Sequence, residues 1–390
     1  MESYSFLLFL AIILVSTKVL GLFSRKIHMP AVVGALLAGV FLGPSGFNLI
    51  TLEGETGVFL EMLAEVGVIL LMFNAGLETE LAEMKKNIGA SFVTALLGVI
   101  VPLLGGFLGY TFYFGVDVAN YDEMLKAVFV GVVLTATSVS ITVETLRELG
   151  KMRGKVGTTI LGAAVIDDIV GIIVLTVVTS LKDTSVSPVS VMIKILLYFV
   201  FIAVVTFIVT KARKMIEGQD EKRRLVILVV AFCFFMSYAS EHFFGITDIT
   251  GAYFAGLMLC TSKVGPYIFR RCEIPSYLIF SPVFFASVGL KVTLGGMDAK
   301  IWIFSAILLV IAVLSKVLGC GAGARLCKCT NKEALQIGIG MVSRGEVALI
   351  VAQKGYQSGL LDSVLFAPVV VVVIVTTLLT PILLKAVMKD

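Results

Sequence analysis

The chain has 390 residues, 58% of them hydrophobic and 15% charged, with a net charge of +4 and a mean hydropathy of +1.03. A soluble fold of this length cannot hide that much apolar surface, which excludes a water-soluble enzyme and implies a polytopic all-α membrane protein. The small positive balance follows loop bias and does not form a nucleic-acid patch.

Thirteen apolar spans are predicted in chain order, most about 20 residues long, enough to cross a core of about 30 Å as helix. They cover 4–24, 31–50, 57–77, 89–114, 125–143, 156–180, 189–210, 225–243, 248–262, 274–292, 301–324, 334–354 and 363–385. Met1 to Ser5 carries no basic stretch and no small-residue cleavage site follows, so the first span reads as a membrane helix and not as a signal peptide. The longest polar stretch runs from Lys211 to Arg224, so no soluble domain is expected, including at the C-terminus; residues 1–390 form one transmembrane unit.

Charge tests this topology. Alternate loops, together with the C-terminal end, carry 22 of the 31 basic residues: Arg25 and Lys26, Lys85 and Lys86, the run from Arg147 to Lys155, that from Lys211 to Arg224, and those after spans 9, 11 and 13. The opposite loops carry five, Lys126, Lys182, Lys194, Lys300 and Lys354. The positive-inside rule puts the basic loops in the cytoplasm, the N-terminus outside and the C-terminus inside. An odd number of spans demands the same arrangement.

The sequence repeats itself. Gly34 to Leu42 reads GALLAGVFL, and Gly251 to Leu259 reads GAYFAGLML; Gly76 to Leu81 reads GLETEL, and Gly289 to Leu294 reads GLKVTL. The shared order and offset predict two inverted six-helix repeats, 1–180 and 225–388, joined by a linker helix at 189–210; such repeats recur in secondary transporters. Small-residue helix packing alone is the competing explanation. Span 5, with Thr135, Thr137, Ser138, Ser140 and Thr142, and span 12, with Gly338, Gly340, Ser343, Arg344, Gly345 and Glu346, are the predicted discontinuous helices. Hydroxyls and glycines let a helix open inside the membrane and re-satisfy its freed backbone groups.

Span 6 holds the most informative pair. Between Val156 and Ser180 the only charges are Asp167 and Asp168, near the middle of the run. One carboxylate at the bilayer centre costs about 3 kcal/mol on insertion scales, so two imply a bound proton or small cation. Adjacent helical residues point about 100° apart. One aspartate can therefore line a cavity while the other meets a cation. Lys18, Lys291, Lys316 and Arg344 interrupt other spans. Lys291 lies near a span end, where it can snorkel; Arg344 lies deep, and Glu65 and Glu346 are its expected ion-pair partners. Carboxylates, hydroxyls and carbonyls are hard ligands suited to Na+ or Li+ and less selectively to K+. A retinal-binding pump and an intramembrane aspartyl protease also use buried aspartates. The first fits thirteen spans poorly, and the second needs two carboxylates that face each other. Six cysteines lie in spans or near basic loops without a disulfide pattern, and Cys327-x-Cys329 is a weak metal signal.

Five motifs carry a family resemblance over nearly the whole chain: EVGVILLMFNAGLE (Glu65 to Glu78), TATSV (Thr135 to Val139), AVIDD (Ala164 to Asp168), FFASVGLK (Phe284 to Lys291) and SRGEVA (Ser343 to Ala348). With these the chain resembles bacterial cation:proton antiporters, closest to the electrogenic Na+/H+ antiporters of the NapA type in the NhaA superfamily. The resemblance implies an NhaA-like fold with crossed discontinuous helices and Na+ (or Li+)/H+ antiport in the inner membrane, with no cofactor beyond the transported ions. It also implies a homodimer with an elevator motion. Asp168 would carry Na+ and the proton, Asp167 would form a salt bridge with Lys291 that breaks on ion binding, and Thr137 and Ser138 would line the site. Two departures matter. Ser138 stands where NhaA-type proteins have an acidic residue. Kef-type K+ effluxers share the Glu65–Glu78 and Ser343–Ala348 motifs but usually have Gln in place of Asp167, and K+/H+ exchange is the alternative.

Overall fold

The computed structural model describes residues 4–26, 29–52, 54–117, 120–182, 188–217, 223–291, 298–357, 359–361 and 363–388, without the side chains of 213–217, 223, 346, 350, 353, 357, 363 and 364. Every regular element in them is helical. In chain order they are α1 (Ser5–Lys26), α2 (Ala31–Leu42), α3 (Gly54–Glu78), α4 (Leu81–Phe114), α5 (Tyr121–Thr135), α6 (Val139–Glu148), α7 (Lys155–Ser180), α8 (Pro188–Glu217), α9 (Arg223–Phe244), α10 (Asp248–Leu259), α11 (Gly265–Pro275), α12 (Ser281–Leu290), α13 (Ala299–Leu326), α14 (Asn331–Gly340), α15 (Glu346–Gln357) and α16 (Ser363–Val387). Among the described residues ten helical stretches are long and apolar enough to cross a membrane. The protein is thus an all-helical, multi-pass membrane protein. The predicted spans that fall short of that length are 31–50, 248–262 and 334–354.

Each shortfall has a local cause. Helix α2 stops at Leu42 because Gly43 and Pro44 follow it. The chain then folds back, and the N–H groups of Phe47, Leu49 and Ile50 donate to the carbonyls of Phe41 and Leu42 at 2.7–3.0 Å. Helix α10 has 12 residues and ends at the turn around Cys260. Span 334–354 is broken between α14 and α15. The tenth span begins earlier than predicted, at Gly265, so Arg270 and Arg271 belong to a helix and not to a loop. Pro275 interrupts that span with a five-residue π-helical turn, Ser276–Phe280, closed by the Ser281 N–H on Ser276 O. Proline supplies no amide for the regular ladder.

The repeated glycines meet crosswise. Gly39 of α2 packs on the backbone of Ala286 and Gly289 in α12, and Gly289 packs back on Leu36, Gly39 and Val40. Gly256 of α10 packs on Phe73, Gly76 and Leu77 in α3, and Gly76 packs back on Tyr253, Gly256 and Leu257. A Cβ on any of the four would collide with facing backbone. Lipid tails are as apolar as these side chains, so close backbone approach through small residues is what holds such helices together.

A second seam positions the centre of the molecule. Helix α4 lies along α13, with Gly319 against Leu97 and Gly323 against Val93 and Thr94, and its other side supports α7, where Ser91 donates to Thr159 O at 3.2 Å. The first half of α7 is thereby held against α4. Gly256→Val is expected to cost about 1–3 kcal/mol by overpacking and to lower the melting midpoint of the detergent-purified protein by several degrees. An unchanged midpoint would mean that the α3–α10 crossing spreads freely.

Candidate functional site

Two helix interruptions face each other at the centre. Helix α5 ends at Thr135 and α6 starts at Val139; α14 ends at Gly340 and α15 starts at Glu346. Each break satisfies the backbone groups that the other frees. The Ser138 N–H donates to Ser343 O at 2.7 Å. The Thr142 hydroxyl donates to Gly340 O at 2.8 Å. Arg344, fully buried, donates from Nη2 to Leu134 O at 2.7 Å and Ala312 O at 3.1 Å, and from Nη1 to Val342 O at 2.9 Å. Its own carbonyl accepts from the Thr377 hydroxyl. The break residues 136–138 and 341–345 are all buried. The hydroxyls of Thr137 and Ser343 are buried and have no protein hydrogen-bond partner. The half-helices bring two N-termini and two C-termini to this zone, so partial charges of both signs converge there.

Helix α7 crosses beside the breaks and carries both aspartates, 3% and 7% exposed. They have different partners. Lys316 of α13, fully buried, donates to Asp167 Oδ1 at 3.1 Å and Oδ2 at 3.3 Å. Arg344 adds positive charge within electrostatic reach of Asp167. The Thr137 hydroxyl faces the same carboxylate without closing a hydrogen bond with it. Asp168 accepts from the Thr250 hydroxyl of α10 at 3.3 Å.

The sequence matches the model of the family described as sodium/hydrogen exchanger, transmembrane, over residues 9–390. The chain belongs to that family. It is 40% identical over 384 residues to the Na(+)/H(+)-K(+) antiporter GerN of Bacillus cereus, covering 98% of this chain and 96% of that one. It is 38% identical to a Na(+)/H(+) antiporter of Enterococcus hirae, covering 96% of each. The solved structure of the sodium proton antiporter MjNhaP1 from Methanocaldococcus jannaschii shares its fold, with a TM-score of 0.68 at 17% identity over 99% of this chain and 97% of that one. These relatives are transporters, and the exchanger is not an enzyme.

The exchanger corrects two partnerships expected from its sequence. Asp167 pairs with Lys316 and not with Lys291. Lys291, at the end of α12, instead binds Glu61 of α3 at 3.2 Å, with both side chains substantially exposed. Depth decides this: Lys291 closes its helix, whereas Lys316 lies inside α13. The sequence held the signal, because Ser315, Gly319, Cys320 and Gly323 put Lys316 on the small-residue face that packs on α4. Gly98 of α4 leaves room there, since a Cβ would collide with Cys320 Sγ, one turn along from Lys316. The second correction concerns Arg344, whose hydrogen bonds go to carbonyls and not to Glu65. Carbonyls freed by the breaks lie closer than any carboxylate on α3. The side chain of Glu346 lies outside the described residues. Thr250 was not expected at all; its signal was its place immediately before the GAYFAG segment that begins at Gly251.

Glu65 has another setting. It is the twelfth residue of α3, yet it is exposed, and with Glu61, Ser287, Lys291 and Leu349 it lines a cavity of about 190 Å³ between α3, α12 and α15. An exposed carboxylate halfway along an apolar helix requires water, so this cavity is an aqueous recess. Asp248, at the start of α10, faces Glu65, and two residues on lies Thr250, the donor to Asp168. The recess lies toward the end of the molecule opposite the basic loops. Lys18 donates to the Tyr277 hydroxyl at 3.1 Å on the exposed side of α1, away from this centre. All six cysteines are free, and the described residues contain no metal-binding cluster.

Removing one member of a buried ion pair costs about 3–5 kcal/mol, because the other charge stays uncompensated. Lys316→Met is expected to lower the melting midpoint of the purified exchanger strongly, and adding Asp167→Asn to recover most of the loss. Equal and additive losses would contradict a direct pair.

Proposed function

We propose that this exchanger trades Na+ or Li+ for H+ by alternating access, with Asp168 as the carboxylate that holds the cation and the proton in turn. The observation that carries this reading is the split of the aspartate pair. Asp167 is held by the buried ammonium of Lys316 on α13, while Asp168 turns to a different helix and accepts from the Thr250 hydroxyl of α10. A carboxylate cannot hold a proton and a cation strongly at once, so competition for it couples the two flows. The Thr137 oxygen, the Ser138 segment and the opened backbone offer further hard ligands for a small cation. Glu65, Arg344 and Glu346 support the site from the recess and the breaks.

The relatives named as Na(+)/H(+) antiporters support Na+ as substrate. The name of the GerN protein also includes K+, which supports K+ as a second substrate. The exchange is electrogenic in this reading. Lys316 takes the part expected of Lys291: it leaves Asp167 when the cation arrives and contributes to the charge moved. The acid-lined recess opens to the outside, and the basic loops face the cytoplasm, with the N-terminus out and the C-terminus in. The chain crosses the plasma membrane thirteen times. The mirrored glycine crossings and the paired breaks support inverted repeats at 1–180 and 225–388 around a linker at 189–210. A homodimer with an elevator-like core follows from the family resemblance, and pH homeostasis is the corresponding role.

Solid-supported-membrane electrophysiology with Na+, Li+ and K+ jumps tests this. Wild-type protein is expected to give currents with Na+ and Li+, Asp168→Asn none, and Lys316→Gln pH-driven exchange with little or no current. Normal Na+/H+ exchange by Asp168→Asn would overturn the assignment of the shared carboxylate.

A further inference from the structure

The basic end of α6 is fastened in an unusual way. Helix α6 is the second half of a broken helix, and its last turns carry Glu144, Arg147 and Glu148. Their partners lie on the panel formed by α1, α2, α3 and α11. Arg147 Nε donates to Glu78 Oε2 at the end of α3, at 3.0 Å, and Nη1 donates to Glu144 Oε2 at 3.2 Å. The guanidinium lies 5.9 Å from the Phe269 ring centre on α11. Glu148 Oε2 accepts from the Ala31 N–H in the first turn of α2 at 2.7 Å, and its other oxygen lies 3.9 Å from Arg25 of α1.

The Glu148 contacts border a gap. A cavity of about 290 Å³ lies between α6 and the α1–α2–α12 face, lined by Glu144, Glu148, Leu14, Lys18, Tyr277 and Phe285 among others. Helices that stay packed for good in a membrane close such gaps with small residues, as α2–α12 and α3–α10 do. Here the apolar side of α6 (Ile141, Val143, Leu146) is buried in the core, while its charged last turn meets the panel beside the cavity. One guanidinium also serves two carboxylates, and its Nη2 is buried without a hydrogen bond. At the opposite end of the molecule α15 stands across the aqueous recess from α3 and α12. The ion pairs at the two ends differ in what they join: at the basic end they tie α6 to α1 and α3, whereas Lys291–Glu61 in the recess ties α12 to α3.

We propose that Arg147 is a positioning residue for exchange: its bridge to Glu78, backed by the hold of Glu148 on α2, keeps the basic end shut while the site is open at the opposite end. The bridge breaks each time the site turns to the basic end. Ionic contacts suit this task because they hold at one geometry and, once parted, are rehydrated at the membrane edge. The proposal rests on the alternating-access reading above.

Apparent affinity from one side scales with the fraction of protein open to that side. In proteoliposomes of known orientation, Arg147→Gln and Glu78→Gln are expected to raise the apparent KM for Na+ supplied at the end opposite the basic loops by threefold or more. The KM at the basic end should fall, with the Na+/Li+ preference unchanged. The double charge swap E78R/R147E should return both KM values toward wild type. A merely structural role would lower the amount of active protein and leave both KM values alone, and that result would overturn the proposal. A second test does not depend on those variants folding. In a background with the six native cysteines replaced by serine, E78C/R147C is joined by a short reducible thiol cross-linker. Cross-linking should stop exchange, and reduction should restore it. Full-rate exchange by the cross-linked protein would overturn the latch. Absence of exchange by the wild-type protein would instead sink the antiport reading.

Discussion

A helix that opens inside a membrane frees backbone groups that water cannot reach, and the centre of this protein is built around that problem. The two breaks solve it mutually. Ser138 gives its amide to Ser343, Thr142 its hydroxyl to Gly340, and Arg344 its guanidinium to the carbonyl that ends the last turn of α5. Each unmatched group would cost several kcal/mol in hydrocarbon, so neither broken helix is tenable without the other. The reward is a zone where hydroxyls and half-helix ends stand beside a pair of carboxylates.

Charge in that zone is sorted by depth. The deepest cations, Lys316 and Arg344, are fully buried and serve Asp167 and the freed carbonyls. Exposed cations have other partners: Lys291, at the end of α12, meets Glu61, and Lys18, on the exposed side of α1, meets Tyr277. The same logic separates the acids. Asp167 and Asp168 are buried within α7, whereas Glu65, though halfway along its helix, keeps a water-filled recess beside it. A buried ion pair is weak evidence for stability, because desolvation offsets the attraction. Its position between α7 and α13, one step from the breaks, fits a pair that must part and reform.

Packing divides along the same lines. Where helices stay together, glycines bring backbones into contact, as at Gly39–Gly289 and Gly76–Gly256. Where α6 meets the panel at the basic end, two ion pairs join them instead, Arg147 with Glu78 and, at the edge of a cavity, Glu148 with Arg25. The molecule therefore contains two kinds of interface, one fitted closely and one held by charge.

Much of this was legible in the sequence, and for a physical reason. Hydropathy fixes which segments enter a membrane, because each must carry its own backbone bonds as helix. The spacing of glycines and hydroxyls marks where helices touch or open; Thr135 to Thr142 and Gly338 to Glu346 mark the two breaks. Adjacent aspartates on a helix must diverge, and they do, toward Lys316 and Thr250. Pairing across helices was not legible. Lys291 and Lys316 are both lysines in apolar spans, and only the packing of α13 on α4 brings one of them to Asp167. Arg344 depended equally on the fold, since the carbonyls that hold it, of Leu134, Ala312 and Val342, come together only when α5 and α13 pack beside the second break. The sequence determined that charges are buried, because composition and period set depth. The tertiary structure decided which charges meet, because that depends on distances between helices far apart in the chain.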